Sequence, residues 1–138
     1  TDTQRSIMVP DFFQRMLDGH GGSFREALRE FCCVRIAPEY QEGLLRLLDY
    51  DVVRSRLKSE GAVQCGYVRN DGERFMLTIL TDSRSADETM WVFEHKVLPS
   101  GRLETLRGIA RGFRNLDTTI TRSLLHAGGF RHAIQTRL

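Results

Sequence analysis

The 138-residue chain is 41% hydrophobic and 28% charged, carries a formal net charge of +2, and contains twelve Gly, three Pro and three Cys. A chain of this length fits one domain that buries about two-thirds of its unfolded surface, and the charged fraction with eight Phe excludes the disordered and collagen-like classes. No apolar run approaches the roughly 20 residues needed to cross a bilayer, and Thr1 to Val9 has no apolar core of a signal peptide. Cys32 and Cys33 are adjacent, so three cysteines build no ordinary disulfide framework, and reduced thiols in a cytoplasmic protein are the natural reading.

The charge is unevenly placed. From Gly101 onward seven Arg stand against Glu104 and Asp117, a local +5, which leaves −3 on the first hundred residues. A basic tail can mark a nucleic-acid surface. These arginines are evenly scattered among apolar residues, however, which favours a solvated face or pairs with acids elsewhere in the fold and disfavours a nucleic-acid partner.

Asp11 to Asp18 has Phe12, Phe13, Met16 and Leu17 at the spacing of a short amphipathic helix. His20-Gly21-Gly22 breaks it. Ser23 with Glu26 reads as a capping box for a helix to about Cys33 that buries Phe24, Leu28 and Phe31. Pro38 suits a first helical turn, with Leu44, Leu45, Leu47 and Leu48 as the buried side. Asp51 reads as the cap of a further helix that turns Val52, Val53 and Leu57 inward and ends at Gly61.

At residue 62 the period changes to two. Val63, Cys65 and Tyr67 alternate in one strand, Phe75, Leu77 and Ile79 in the next, and Asn70-Asp71-Gly72 between them signals a hairpin. Asp82 to Glu88 reads as a polar loop, Thr89 to Val97 as a third strand with Trp91, Phe93 and Val97 on one side, and Pro99-Ser100-Gly101 as a turn. Leu103 to Asn115 has helical spacing, but Gly108 and Gly112 each weaken a helix by about 1 kcal/mol, and a fourth strand over about Thr105 to Phe113 is expected. Asp117 then caps a helix carrying Ile120, Leu124 and Leu125, which Gly128-Gly129 interrupts and the last nine residues resume. An open sheet face and this apolar stripe both need cover, which predicts self-association, as a homodimer.

No phosphate-cradling glycine pattern is present, and His126 and His132 lack the spacing of a helical metal pair. Cys32-Cys33 lacks the gap of zinc and redox motifs and reads as structural. His95, on a strand face with Trp91 and Phe93, can project into an apolar pocket. Asp82, Asp87 and Glu88 match no calcium loop. No hydroxyl sits in a nucleophile context, so the chain is read as no enzyme.

The order of the segments resembles PAS domains. Arg35-Ile36-Ala37-Pro38-Glu39 opening a Leu-rich helix is similar to the step into that family's long helix. A helix ending at Gly61, a strand ending Tyr67-Val68-Arg69, the Asn-Asp-Gly hairpin and a strand beginning Glu73-Arg74-Phe75 follow in the same order. Gly112 to Thr119 resembles the last strand running into an output helix, with Asp117 and Thr119 matching its Asp-x-Thr junction. The likeness covers about Phe24 to Ser123.

The resemblance implies an α+β fold: N-terminal helices, then an antiparallel meander, then a C-terminal output helix over about 116–138, all in one PAS-like domain over 1–138. It implies a concave apolar face built from Val63, Cys65, Tyr67, Phe75, Leu77, Ile79, Trp91, Phe93 and His95 that takes a small ligand, with signal coupling through Asp117 and Thr119. The plainer alternative makes these nine residues the core under the helices. The implied function is a sensory module of a bacterial signalling protein, attached to a kinase, diguanylate cyclase or transcription-factor effector, with cofactor unspecified. The alternatives are a nucleic-acid-binding module using the C-terminal arginines and a small α+β enzyme.

Overall fold

The computed structural model describes residues 4–82, 85–95, 102–110 and 118–138. Strand β1 (Gln4–Met8) is followed by helices α1 (Asp11–Gly19), α2 (Phe24–Arg35) and α3 (Pro38–Leu45), a 3-10 turn (Arg46–Leu48) and helix α4 (Tyr50–Glu60). Then come β2 (Ala62–Val68), β3 (Arg74–Asp82), β4 (Ser85–His95), α5 (Arg102–Ala110), α6 (Thr118–Ala127) and β5 (His132–Arg137). The five strands form one antiparallel sheet in the order β1-β5-β4-β3-β2.

The α+β class and the meander of β2, β3 and β4 are as expected from the period switch at residue 62. Tyr67 pairs with Phe75, and Phe75 in turn with His95. Two of the local signals before residue 62 also hold. Ser23 Oγ accepts the Glu26 N–H at 3.2 Å, closing the N-terminus of α2. Gly61 ends α4 with φ +79°, a left-handed conformation in which a side chain would be strained.

Strand alternation sends side chains to two faces, and both are covered. On one face Val63, Tyr67, Phe75, Leu77, Ile79, Trp91 and Ile134 pack under α1 to α4. On the other, Leu80, Met90, Val92 and Ala133 pack with Leu106, Ile109 and Ala110 of α5, Leu125 of α6, and Phe130. The sheet face expected to need a partner is therefore covered by this chain's own α5 and α6, which removes that reason for self-association. Leu125 is buried there, while Leu124 is 41% exposed.

Six local expectations are corrected. Residues 102–110 are helix, not strand: the spacing of Leu106, Ile109 and Ala110 outweighs Gly108, around which an added methyl would meet nothing within 4 Å. Residues 132–137 are strand, not resumed helix. Gly129, at φ +81°, ends α6 in a Schellman motif, with the Phe130 N–H on the Leu125 carbonyl and the Gly129 N–H on that of His126. The polar stretch 82–88 is largely strand, since β4 begins at Ser85 and pairs back onto Asp82. The cap of α4 is Asp49, whose carboxylate accepts the Asp51 N–H at 3.1 Å, and Val52 is 40% exposed where Val53 and Leu57 are buried. Residues 4–8, expected only as a polar lead, form β1 on the free side of β5. Val97, the turn at 99–101, Gly112, Phe113 and Asp117 lie outside the described residues.

Candidate functional site

At the end of the sheet where β2 and β4 finish and β3 and β5 begin, side chains from five strands and two helices leave a pocket of about 90 Å³ with an open mouth. Its walls are apolar. Phe12 and Phe13 of α1, Phe31 of α2, and Met8, Val9 and Pro10 at the β1–α1 junction form one side. Tyr67, Phe75, Phe93, His95, His132 and Ala133 supply the sheet side, and Arg69 projects from the β2–β3 turn.

Sheet register builds the sheet side. Tyr67, Phe75 and His95 lie directly across from one another on neighbouring strands, and His132 lies across from Phe93. Tyr67 and Phe75 stack with centroids 5.4 Å apart and planes within 10°. The His95 ring lies 4.3 Å from that of Phe75. Phe13 meets Phe31 edge to face at 5.9 Å and tilts against Phe93 at 6.4 Å. These offset and T-shaped contacts fix the ring positions, so the pocket is a built shape with ordered walls.

The polar groups gather at the mouth. The Arg69 guanidinium lies 4.5 Å over the Phe75 ring and donates one Nη2 bond to Asp71 at 2.8 Å. The Glu73 N–H and then Arg69 hold the Asp71 carboxyl below its usual range. His95 Nδ1 lies 3.6 Å from Glu73 Oε2, within ion-pair distance when the imidazole is protonated. Burial, then Arg131, then His95 push the His132 imidazole below its usual value, so it stands neutral near pH 7. Arg35 stacks 4.2 Å over the outer ring, Phe12. Among the described residues no acidic side chain lines the walls.

Of the nine residues expected to form a ligand face, the structure brings Tyr67, Phe75, Phe93 and His95 to the pocket. Val63, Leu77, Ile79 and Trp91 are fully buried in the core, as the plainer alternative had it. Cys65 is half-buried against that core, its thiol held protonated by burial, and burial pushes the neighbouring Cys32 up to about 12. Neither sulfur has thiolate character. Asp117 lies outside the described residues, and Thr119 is placed in α6 without a described side chain. Two of the C-terminal arginines face acids, Arg107 on Glu104 at 2.7 Å and Arg137 on Glu88 at 3.7 Å.

Sequence reasoning missed Arg69, His132 and the helix-borne phenylalanines as pocket walls. The phenylalanines were legible as buried helix faces, and only the sheet register shows that they overhang this end. Within the described residues, no helix is long and apolar enough to cross a membrane. No family model matches the sequence, and neither the curated proteins nor the solved structures compared with it give a match.

Proposed function

We propose that this chain is a small-molecule-binding sensory module of PAS-like type, with its ligand seated in the aromatic pocket at the sheet end. The observation that carries the reading is the pocket itself: ordered aromatic walls, a few polar groups convergent at the mouth, and a position between a helical layer and the sheet. Helices packed on one face of an antiparallel meander, with the Asn70-Asp71-Gly72 turn in the middle, support the PAS-like part. A domain of that family begins with two strands before its helices. Here β5 and β1 are adjacent and antiparallel, and the second of them leads directly into the helices.

The response runs through the sheet. Met8 and Ala133 line the pocket and also belong to the second core, where they pack with Leu125 of α6. A ligand that displaces β5 therefore changes the seating of α6, which β5 follows after only four residues, 128–131. On this reading α6 passes the signal to an effector domain in a bacterial signalling protein.

The test is an amide NMR titration of the whole chain with phenol, a neutral single ring. Shift changes clustered at Phe13, Phe93, His95 and His132 and continuing into residues 121–127 are expected. Changes confined to the pocket would end the coupling, and none in the pocket would end the site.

A further inference from the structure

We propose that the ligand of this pocket is a small aromatic or branched-chain carboxylic acid, bound as its anion with the apolar body among the phenylalanines and the carboxylate at Arg69, His95 and His132. This rests on the binding reading above and adds the ligand's chemical class.

The pocket divides into two chemistries. Its depth is hydrocarbon, with Phe13, Phe31 and Phe93 meeting there. A cavity of about 90 Å³ is smaller than the roughly 150 Å³ void that takes benzene, so it encloses only part of a single ring or a branched chain and leaves the other end in the open mouth. That end meets three nitrogen-bearing side chains and, among the described residues, no acidic wall.

The nearest acids do not cancel this field. Asp71 takes one Nη2 donor of Arg69, and the guanidinium has four further N–H groups held in a fixed plane by stacking on Phe75. Glu73 lies at His95 Nδ1, which leaves Nε2 to face a ligand, as a donor when the imidazole is protonated. His132 supplies a neutral N–H from β5, on the same sheet side. A carboxylate accepts from all three kinds of donor, whereas a cation finds, among the described lining residues, no carboxylate and only the Tyr67 phenol as a side-chain oxygen, which burial keeps protonated. A neutral ring fits the depth and leaves the mouth donors to water.

The experiment compares benzoate with benzamide, equal in shape and different in charge, by calorimetric titration and amide NMR on the whole chain. Benzoate is expected to bind about tenfold tighter than benzamide, the increment of a charge-assisted hydrogen bond. Arg69→Gln is expected to remove most of that preference, weakening benzoate more than benzamide. His132→Gln, which keeps a side-chain N–H donor, retains most of it and stands as the second variant should Arg69→Gln fail to fold. Equal affinities in the unaltered chain would overturn the anionic class and leave the binding site intact. Preference for benzoate that survives Arg69→Gln would overturn the seat assigned to the carboxylate. No pocket shift with either compound up to about 10 mM would overturn both the ligand class and the binding reading.

Discussion

The side-chain amide of Asn70 donates to the carbonyl of Val34 at 2.9 Å, across a sequence separation of 36. The Asn70 backbone N–H donates to the next carbonyl, that of Arg35, and the Ala37 N–H returns to Val68. A residue legible as a turn-former thus also closes the C-terminal end of α2, whose last carbonyls have no partner within the helix. Asn70→Ala is expected to lower stability by about 0.5–1.5 kcal/mol. Asn70→Asp, which sets a carboxylate against a carbonyl, lowers it further. Urea midpoints compare the three, and a neutral Asn70→Ala removes the clamp from the account of stability.

Trp91 is fully buried, and its indole N–H has one acceptor, Thr89 Oγ1 at 2.9 Å, which in turn donates to the Thr136 carbonyl at 2.7 Å. Thr89→Val keeps the shape and leaves the indole donor unsatisfied, at a cost of about 1–3 kcal/mol. Thr89→Ser keeps the hydroxyl and costs less. Calorimetric melting of both variants checks the order, and equal losses would show that the methyl, not the hydroxyl, matters.

Gly128 lies beside the Phe130 ring, where an added methyl would sit 2.9 and 3.0 Å from two ring carbons. Phe130 is buried in the second core and cannot swing aside freely. Gly128→Ala is expected to cost about 1–3 kcal/mol by overpacking, read as a fall in melting temperature. A stability gain would mean that the helix end relaxes around the methyl.

The His132 imidazole is held below its ordinary 6.5 in the folded chain. The unfolded chain then binds the proton first, so between the folded value and 6.5 it holds more protons than the native state, and stability rises with pH through that window. The melting temperature is expected to fall as the medium goes from about pH 7.5 to about pH 5.5. His132→Gln flattens that fall. An unchanged slope in the variant would assign the titration to other groups, of which His95 is the nearest imidazole.

The helical half of the fold was legible because its signals are local. The capping box at Ser23, Pro38 in a first turn and the left-handed Gly61 each act within a few residues. The second half was less so. Residues 102–110 show that helical spacing of Leu106, Ile109 and Ala110 outweighs one exposed glycine. Residues 132–137 show the opposite difficulty: His-Ala-Ile-Gln-Thr-Arg carries almost no alternation, because β5 lies inside the sheet and is buried on both faces, so its side chains on each face answer to a different core. The pocket was half legible for a related reason. Tyr67, Phe75, Phe93 and His95 share a face by period, but Arg69 and His132 join them only through pairings made far along the chain.

Strand β5 sits between β1 and β4, joining residues 4–8 to residues 133–136. The meander can form from neighbours in sequence, whereas among the described residues β1 pairs only with a strand more than a hundred residues away. Loop-closure entropy makes such contacts costly to form. The β1–β5 pairing closes the longest loop in the sheet, whereas β5 reaches β4 over a separation of only about 40 to 50 residues. Met8 of β1 and His132 and Ala133 of β5 line the pocket, so its walls depend on a join between stretches of sequence more than a hundred residues apart.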